Sequence, residues 1–93
     1  MSDKDVLLVG ADAELAFGAH GRIGDGWVYV VDPHVDALET LLRQAHAAGV
    51  SGIAYLIGDG DVLPLPDGAV AEVLISEGRE VAENELRRVV SAR

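Results

Sequence analysis

The sequence predicts an α/β fold: a Rossmann-like three-layer sandwich with helices on both faces of a parallel sheet of about four strands, in the spatial order 3-2-1-4. Three observations predict it. The run Val6-Leu7-Leu8-Val9, closed by Gly10, is apolar without alternation, as expected of a strand buried on both faces of a helix-covered sheet. Three further apolar runs follow, at Trp27–Val31, Ile53–Ile57 and Val70–Ile75. Helical patterns stand between or after them, which gives the alternation of a doubly wound domain with right-handed crossovers. All 93 residues read as a single domain, with no repeat, linker or low-complexity stretch.

The first strand is expected at about Asp5 to Val9. Ala13 to Ala19 follows as a weak helix, because Gly18 lies inside it and Gly21, Gly24 and Gly26 interrupt what comes next. Gly24-Asp25-Gly26 is a turn into the second strand, Trp27 to Val31, rich in β-favouring residues and ended by Asp32. Pro33 suits the first position of a helix, with Asp32 as its N-cap. In that helix Val35, Leu38, Leu41, Leu42 and Ala45 form the inward face. Asp36, Glu39, Arg43 and Gln44 form the polar side, Glu39 and Arg43 make an i,i+4 pair, and Gly49 stops the helix. Ile53–Ile57 is expected as a third buried strand. A loop through Gly58-Asp59-Gly60-Asp61 and Leu63-Pro64-Leu65-Pro66-Asp67-Gly68 leads to the fourth strand, Val70–Ile75, where Glu72 is the one charge. Val81 to Ala92 reads as a last helix with Ala82, Leu86, Val89 and Val90 inward and an i,i+4 pair of Glu83 with Arg87.

Sixteen acids against seven bases give a net charge of −9, a field that repels phosphate backbones and anionic headgroups. Nucleic acid and membrane are therefore not expected as partners. Cysteine is absent, which removes disulfides and thiolate chemistry. No apolar run reaches membrane-spanning length, and Met1-Ser2-Asp3-Lys4-Asp5 lacks the features of a signal peptide, so a soluble cytoplasmic protein is expected. His20, His34 and His46 lack metal-ligand spacing, and Gly58-Asp59-Gly60-Asp61 lacks the later acids of a calcium loop. Neither a Ser-His-Asp arrangement nor a phosphate loop is present.

The ordered set Val6-Leu7-Leu8-Val9-Gly10, Val28 to Asp32, Gly58-Asp59 and Leu63-Pro64-Leu65-Pro66-Asp67-Gly68 resembles the class I S-adenosylmethionine-dependent methyltransferases, most closely the quinone-biosynthesis type. The resemblance extends from Asp5 to Arg93. It implies that Gly10 lets the first turn approach the methionine part of the cofactor, where a Cβ would intrude. It implies that Asp32 accepts hydrogen bonds from the two ribose hydroxyls and that Asp59 accepts one from the adenine amino group. From the residues alone, Asp32 reads equally well as a helix N-cap and Asp59 as a turn residue.

Two departures from the family pattern shape the functional expectation. Asp12 and Glu14 stand where the family has its second and third glycines, and Leu8 where it often has an acid. Both acids add bulk and negative charge beside the place of the cofactor's carboxylate, so S-adenosylmethionine is expected to bind weakly or not at all. The family also has further strands and helices after the segment matched by Val81–Ala92, and no residues are found here for orienting an acceptor. The expected function is a truncated, non-catalytic methyltransferase-like domain that acts by self-association or by binding a protein partner. The alternative is a minimal methyltransferase whose acceptor site another chain completes. With no fifth strand, Val70–Ile75 is expected at a sheet edge, and a homodimer is expected through Val70–Arg93.

Overall fold

A computed structural model describes residues 5–91. Its elements run β1 (Val6–Val9), α1 (Ala13–Ile23), β2 (Val28–Asp32), α2 (Val35–Ala47), β3 (Ile53–Ile57), β4 (Glu72–Ile75) and α3 (Glu83–Val89). The strands form one sheet in the order β3-β2-β1-β4, and every neighbouring pair is parallel. This is the expected architecture. β1 lies inside the sheet, and all four of its residues are buried.

The alternation of Cβ directions along β1 divides the core in two. Val6 and Leu8 join Val28 and Val30 beneath Ala16 and Ala19 of α1 and Leu38, Leu41 and Ala45 of α2. Leu7 and Val9 join Val31 on the opposite face, against Leu63, Ala69 and Val70 and, from α3, Val89. One face thus carries two full helices. The other is covered by the Leu63–Ala69 loop and a helix of only seven residues. No helix among the described residues is long and apolar enough to cross a membrane.

Several element boundaries differ from expectation, each for a local reason. α1 does not stop at Ala19 but runs on to Ile23. Gly18 and Gly21 face open space, so they weaken the helix without breaking it, while Ala16 and Ala19 anchor it to the sheet. β2 begins one residue late and takes in Asp32, leaving Trp27 outside and exposed. α2 begins at Val35, with His34 rather than Asp32 at its N-cap position. Its inward stripe is Leu38, Leu41 and Ala45; Val35 and Leu42 point to solvent. Gly49 ends it as expected: with φ at 70° it donates to His46, and Val50 donates to Ala45, which satisfies the last carbonyls.

β3 is not the buried strand expected: it lies at the sheet edge, with β2 on one side only, and only Ile53 in it is buried. β4 is shorter than Val70–Ile75. Val70 instead makes an isolated parallel bridge with Val90 on the side away from β1. That bridge ends α3 at Val89, so the expected helix to Ala92 is too long; Ala92 and Arg93 lie outside the described residues. Of the expected inward set on α3, Val89 is buried and Ala82, Leu86 and Val90 are half-buried.

The thin face is held by a clamp of Glu85 and Arg88 on the loop before β4. Glu85, buried on α3, accepts from the Leu63 amide at 2.7 Å and from Arg88 Nε at 2.8 Å. Arg88 also donates to the Leu63 and Leu65 carbonyls and to Asp67. The Leu63–Asp67 loop carries few backbone bonds of its own, and these groups fix it over Leu7 and Val9. The bonds from Arg88, then that from the Leu63 amide, hold the Glu85 carboxyl at about 2 against an ordinary 4.5. A lowered carboxylate stabilises the fold fully above its ordinary value and loses that contribution as pH falls through its folded value.

Two outcomes follow. Acidification from about 4.5 to about 2 removes the clamp's contribution; an Arg88→Ala variant is less stable at neutral pH and loses less over that interval, as thermal unfolding at several pH values would read. Gly18→Ala and Gly21→Ala each stabilise by about 0.5–1 kcal/mol, because an exposed helical glycine gains nothing from its missing side chain. Urea unfolding measures this.

Candidate functional site

The carboxyl ends of β1, β2 and β3 open into a cleft of ≈ 290 Å³ lined by Val9, Gly10, Gly58, Asp59, Gly60 and Arg79 among others. Ligands in open α/β sheets lie at this end. The volume falls at the small limit of the roughly 300–1,000 Å³ typical of ligand pockets.

Gly10 closes β1 with φ at 104° and donates to Val31 O at 2.8 Å. A Cβ there would come within 2.6 Å of Ser76 Cβ and 3.0 Å of Arg79 Cγ. Glycine is required at this turn, but the space it leaves is taken by this chain's own side chains. Asp12, one of the two acids in the turn, is the N-cap of α1: one oxygen accepts from Leu15 N at 3.1 Å, and the other lies 3.5 Å from the Ser76 hydroxyl. Glu14 sits exposed in the first helical turn.

Asp32 is almost wholly buried, with 1% of its surface exposed, and it does not line the cleft. Its Oδ2 accepts from the Ala11 amide at 2.9 Å and from Arg79 Nη2 at 3.0 Å. Its Oδ1 accepts from the His34 amide at 2.8 Å and lies 3.0 Å from His34 Nδ1. The side chain therefore organises the entry to α2 without capping it in the usual way. Burial acts to raise its pKa. The Ala11 and His34 amides, the His34 ring and the Arg79 charge outweigh burial and leave it below the ordinary carboxylate value.

Asp59 is exposed and lines the cleft. Its Oδ1 accepts from Asp61 N at 2.9 Å and Val62 N at 3.4 Å, an Asx-type turn of the kind its loop suggested. Gly10, Asp32 and Asp59 thus converge on one end of the sheet, with Asp32 covered by Arg79.

That cover belongs to a strap, residues 76–82, whose last two residues, Val81 and Ala82, fall where the sequence predicts helix and are not helical. Ser76 donates its amide to Val9 O, and a turn at Gly78 brings Arg79 N back to Ser76 O. Arg79 then reaches Asp32. Ala82 N donates to Gly60 O at 2.9 Å, and the Gly60 α-carbon packs so closely on the Glu80 carbonyl that no larger residue fits. The strap crosses the ends of β1 and β2 and fastens to the loop after β3. A signal for it was present: Arg79 is the one Lys or Arg between Arg43 and Arg87, in a stretch otherwise charged only by acids. Its partner, 47 positions away, was not readable. Among the described residues no group of three or more His, Asp or Glu is placed to hold a metal ion.

Solved structures with a similar fold include a SAM-dependent methyltransferase from Aquifex aeolicus, at 24% identity and a TM-score of 0.80 over 94% of this chain and 50% of that one. The YcgJ protein from Bacillus subtilis matches at 22% identity, with a TM-score of 0.77, over 94% of this chain and 39% of that one. The MccD protein matches at 16% identity, with a TM-score of 0.74, over 97% and 43%. The fold is methyltransferase-like. The chain spans half or less of the length of these structures, and at these identities the likeness concerns the fold alone. No protein-family model matches the chain, and no curated protein matches it significantly.

Removing the cover has a defined consequence. Arg79→Ala removes the charge-assisted bond to Asp32 Oδ2 and leaves that oxygen the Ala11 amide as its one protein donor, so stability at neutral pH falls by about 1.5–3 kcal/mol. Because Asp32 is a lowered carboxylate, the loss shrinks as pH drops below the ordinary carboxylate range. Arg79→Lys recovers part of it. Denaturant unfolding at two pH values checks all three statements.

Proposed function

We propose that this chain is a methyltransferase-like module that does not use S-adenosylmethionine and acts by association, chiefly with a second copy of itself. The observation that carries the reading is the Arg79–Asp32 ion pair at 3.0 Å. Asp32 is the residue that the family resemblance assigns to the ribose hydroxyls. In this chain its Oδ2 is already held by a guanidinium and a backbone amide, and Arg79 rather than Asp32 faces the cleft. A ribose would have to replace the guanidinium partner of a buried carboxylate with neutral hydroxyl donors, which leaves the charge without its cation and weakens binding. Ser76 and Arg79 also fill the approach above Gly10 that the methionine part would need. The residues present do not fit the cofactor with the strap in place.

Asp12 and Glu14 contribute less to this closure than their positions in the sequence suggest. Asp12 is turned into the α1 N-terminus, and Glu14 is exposed. The other reading, a minimal methyltransferase completed by another chain, requires the strap to leave Asp32 and Gly10.

Calorimetry with S-adenosylmethionine tests the choice. The native chain is expected to give no binding heat with millimolar cofactor; a dissociation constant in the low micromolar range overturns the proposal. Arg79→Ala, which returns Asp32 Oδ2 to the cleft, is expected to bind more tightly than the native chain. Asp12→Gly with Glu14→Gly is expected to gain less than Arg79→Ala does.

A further inference from the structure

The two edges of the sheet are protected unequally. At β4, Val70 is already bonded on its outer side: its amide donates to Val89 O, and its carbonyl accepts from Ser91 N. Glu72 puts a charge on the strand and is ion-paired with Arg22 at 2.8 Å. Both are devices that discourage edge pairing.

β3 has neither. Its sequence, Ile-Ala-Tyr-Leu-Ile, contains no charge and no proline. Gly52 O and Gly58 N bond toward β2, so by the period of two Ile53, Tyr55 and Ile57 carry their backbone groups outward. Among the described residues, no backbone bond to those outward groups comes from a loop or another strand. Beside this edge, on the α2 side of the sheet, lies a shallow groove of ≈ 170 Å³ lined by Val35, Leu38, Glu39, Leu42, Tyr55 and Ile57. Ile57 is 64% exposed, Leu42 49% and Val35 45%. An apolar strip that continues into an open strand edge is an interaction surface.

We propose that this β3–α2 edge, rather than Val70–Arg93, is where two copies of the chain associate, through antiparallel pairing of β3 about a two-fold axis at Tyr55. The inference rests on the reading of the chain as an association module. With the axis at Tyr55, Ile53 of one copy lies opposite Ile57 of the other, and the outward groups of each pair exchange both N–H···O bonds. The side chains of Ile53, Tyr55 and Ile57 share the face that carries α2, so the two α2 helices flank the same seam.

The choice of a second copy follows from charge. Glu39 and Arg43 flank Leu42 on α2 and are paired within one helix only loosely, at 3.6 Å. Two antiparallel copies of this helix place Glu39 of each near Arg43 of the other, the self-complementarity that an isologous interface requires. The net charge of −9 on each copy opposes association over distance. Added salt screens that repulsion, so dimerisation strengthens as ionic strength rises.

Sedimentation velocity at micromolar to submillimolar concentration decides the proposal, with circular dichroism to confirm folding. Ile57→Lys and Leu42→Glu change exposed side chains that the fold does not need. The native chain is expected to dimerise, and each of these variants to weaken the dimer about tenfold or more. Ile75→Lys, at the opposite edge, is expected to leave it unchanged. Amide exchange at Tyr55 and Ile57 is expected to slow on dimerisation in the native chain and to stay fast in Ile57→Lys. A native chain that remains monomeric overturns the inference, and so does a dimer that Ile75→Lys breaks and Ile57→Lys does not. These outcomes are independent of the calorimetry: a monomer that binds no cofactor removes this surface and self-association but leaves the disuse of the cofactor standing, whereas micromolar cofactor binding removes that part of the reading whatever the oligomeric state.

Discussion

The Asp32 carboxylate, buried at the end of β2, is the point on which the site depends. It meets an amide from the turn after β1, the amide and ring of His34 before α2, and the Arg79 guanidinium from the strap. Each contact joins a different segment to β2. A carboxylate in this position must keep its donors, because burial without them strongly disfavours its charge. That constraint explains why the strap is fixed. Arg79 does not merely rest on the surface; it balances a charge that would otherwise be desolvated without a cation. The chemistry that would suit Asp32 to two ribose hydroxyls also suits it to one guanidinium, and in this chain the guanidinium comes from within.

The rest of the architecture follows from β1. Its four apolar residues demand cover on both faces, and the two faces receive unequal cover. α1 and α2 seal one side with small and aliphatic residues. On the other side a proline-containing loop has to serve as part of a layer, and loops cannot satisfy their own backbone as helices do. Glu85 and Arg88 meet that need by bonding the loop's carbonyls and an amide directly. The Leu63–Gly68 segment thus has a structural reason to exist here that is independent of any cofactor: Leu63 fills the core, and Arg88 holds the loop around it.

How much of this the sequence made legible depended on the range of the interaction. The bounds of Ile53–Ile57 are legible to the residue because an unbroken apolar run marks them, but its burial is not, since an edge strand carries the same run as an interior one. Helix α1 was read too short because Gly18 and Gly21 lower local propensity, and only tertiary burial of Ala16 and Ala19 overrides it. The inward face of α2 was drawn too wide. Val35 and Leu42 belong to the helical period, yet they project beyond β3, where the sheet ends and leaves them uncovered. In the site, Gly10, Asp32 and Asp59 could be placed from their order along the chain. The pairing of Asp32 with Arg79 could not, since nothing local to either residue specifies the other. Asp12 and Glu14 stand where the resemblance has glycines, yet Asp12 is turned into the N-terminus of α1, and the group that covers Asp32 comes from a distant stretch of the chain.

A covered carboxylate and an unprotected edge are two consequences of where this chain places its charges. Arg79, the lone cation of its stretch, is used inward at Asp32, and Arg88 is used inward at Glu85. Arg22 guards β4 by pairing with Glu72. Arg87 and Arg43 make exposed i,i+4 pairs, each worth little to the fold. With so few bases, none stands on the β3 strand itself, where a charge would most effectively prevent pairing. The cations that could have guarded that edge instead cover Asp32 or fasten the thin face. Ile57, Leu42 and Val35 are left exposed where the sheet stops, and the open backbone of β3 lies beside them.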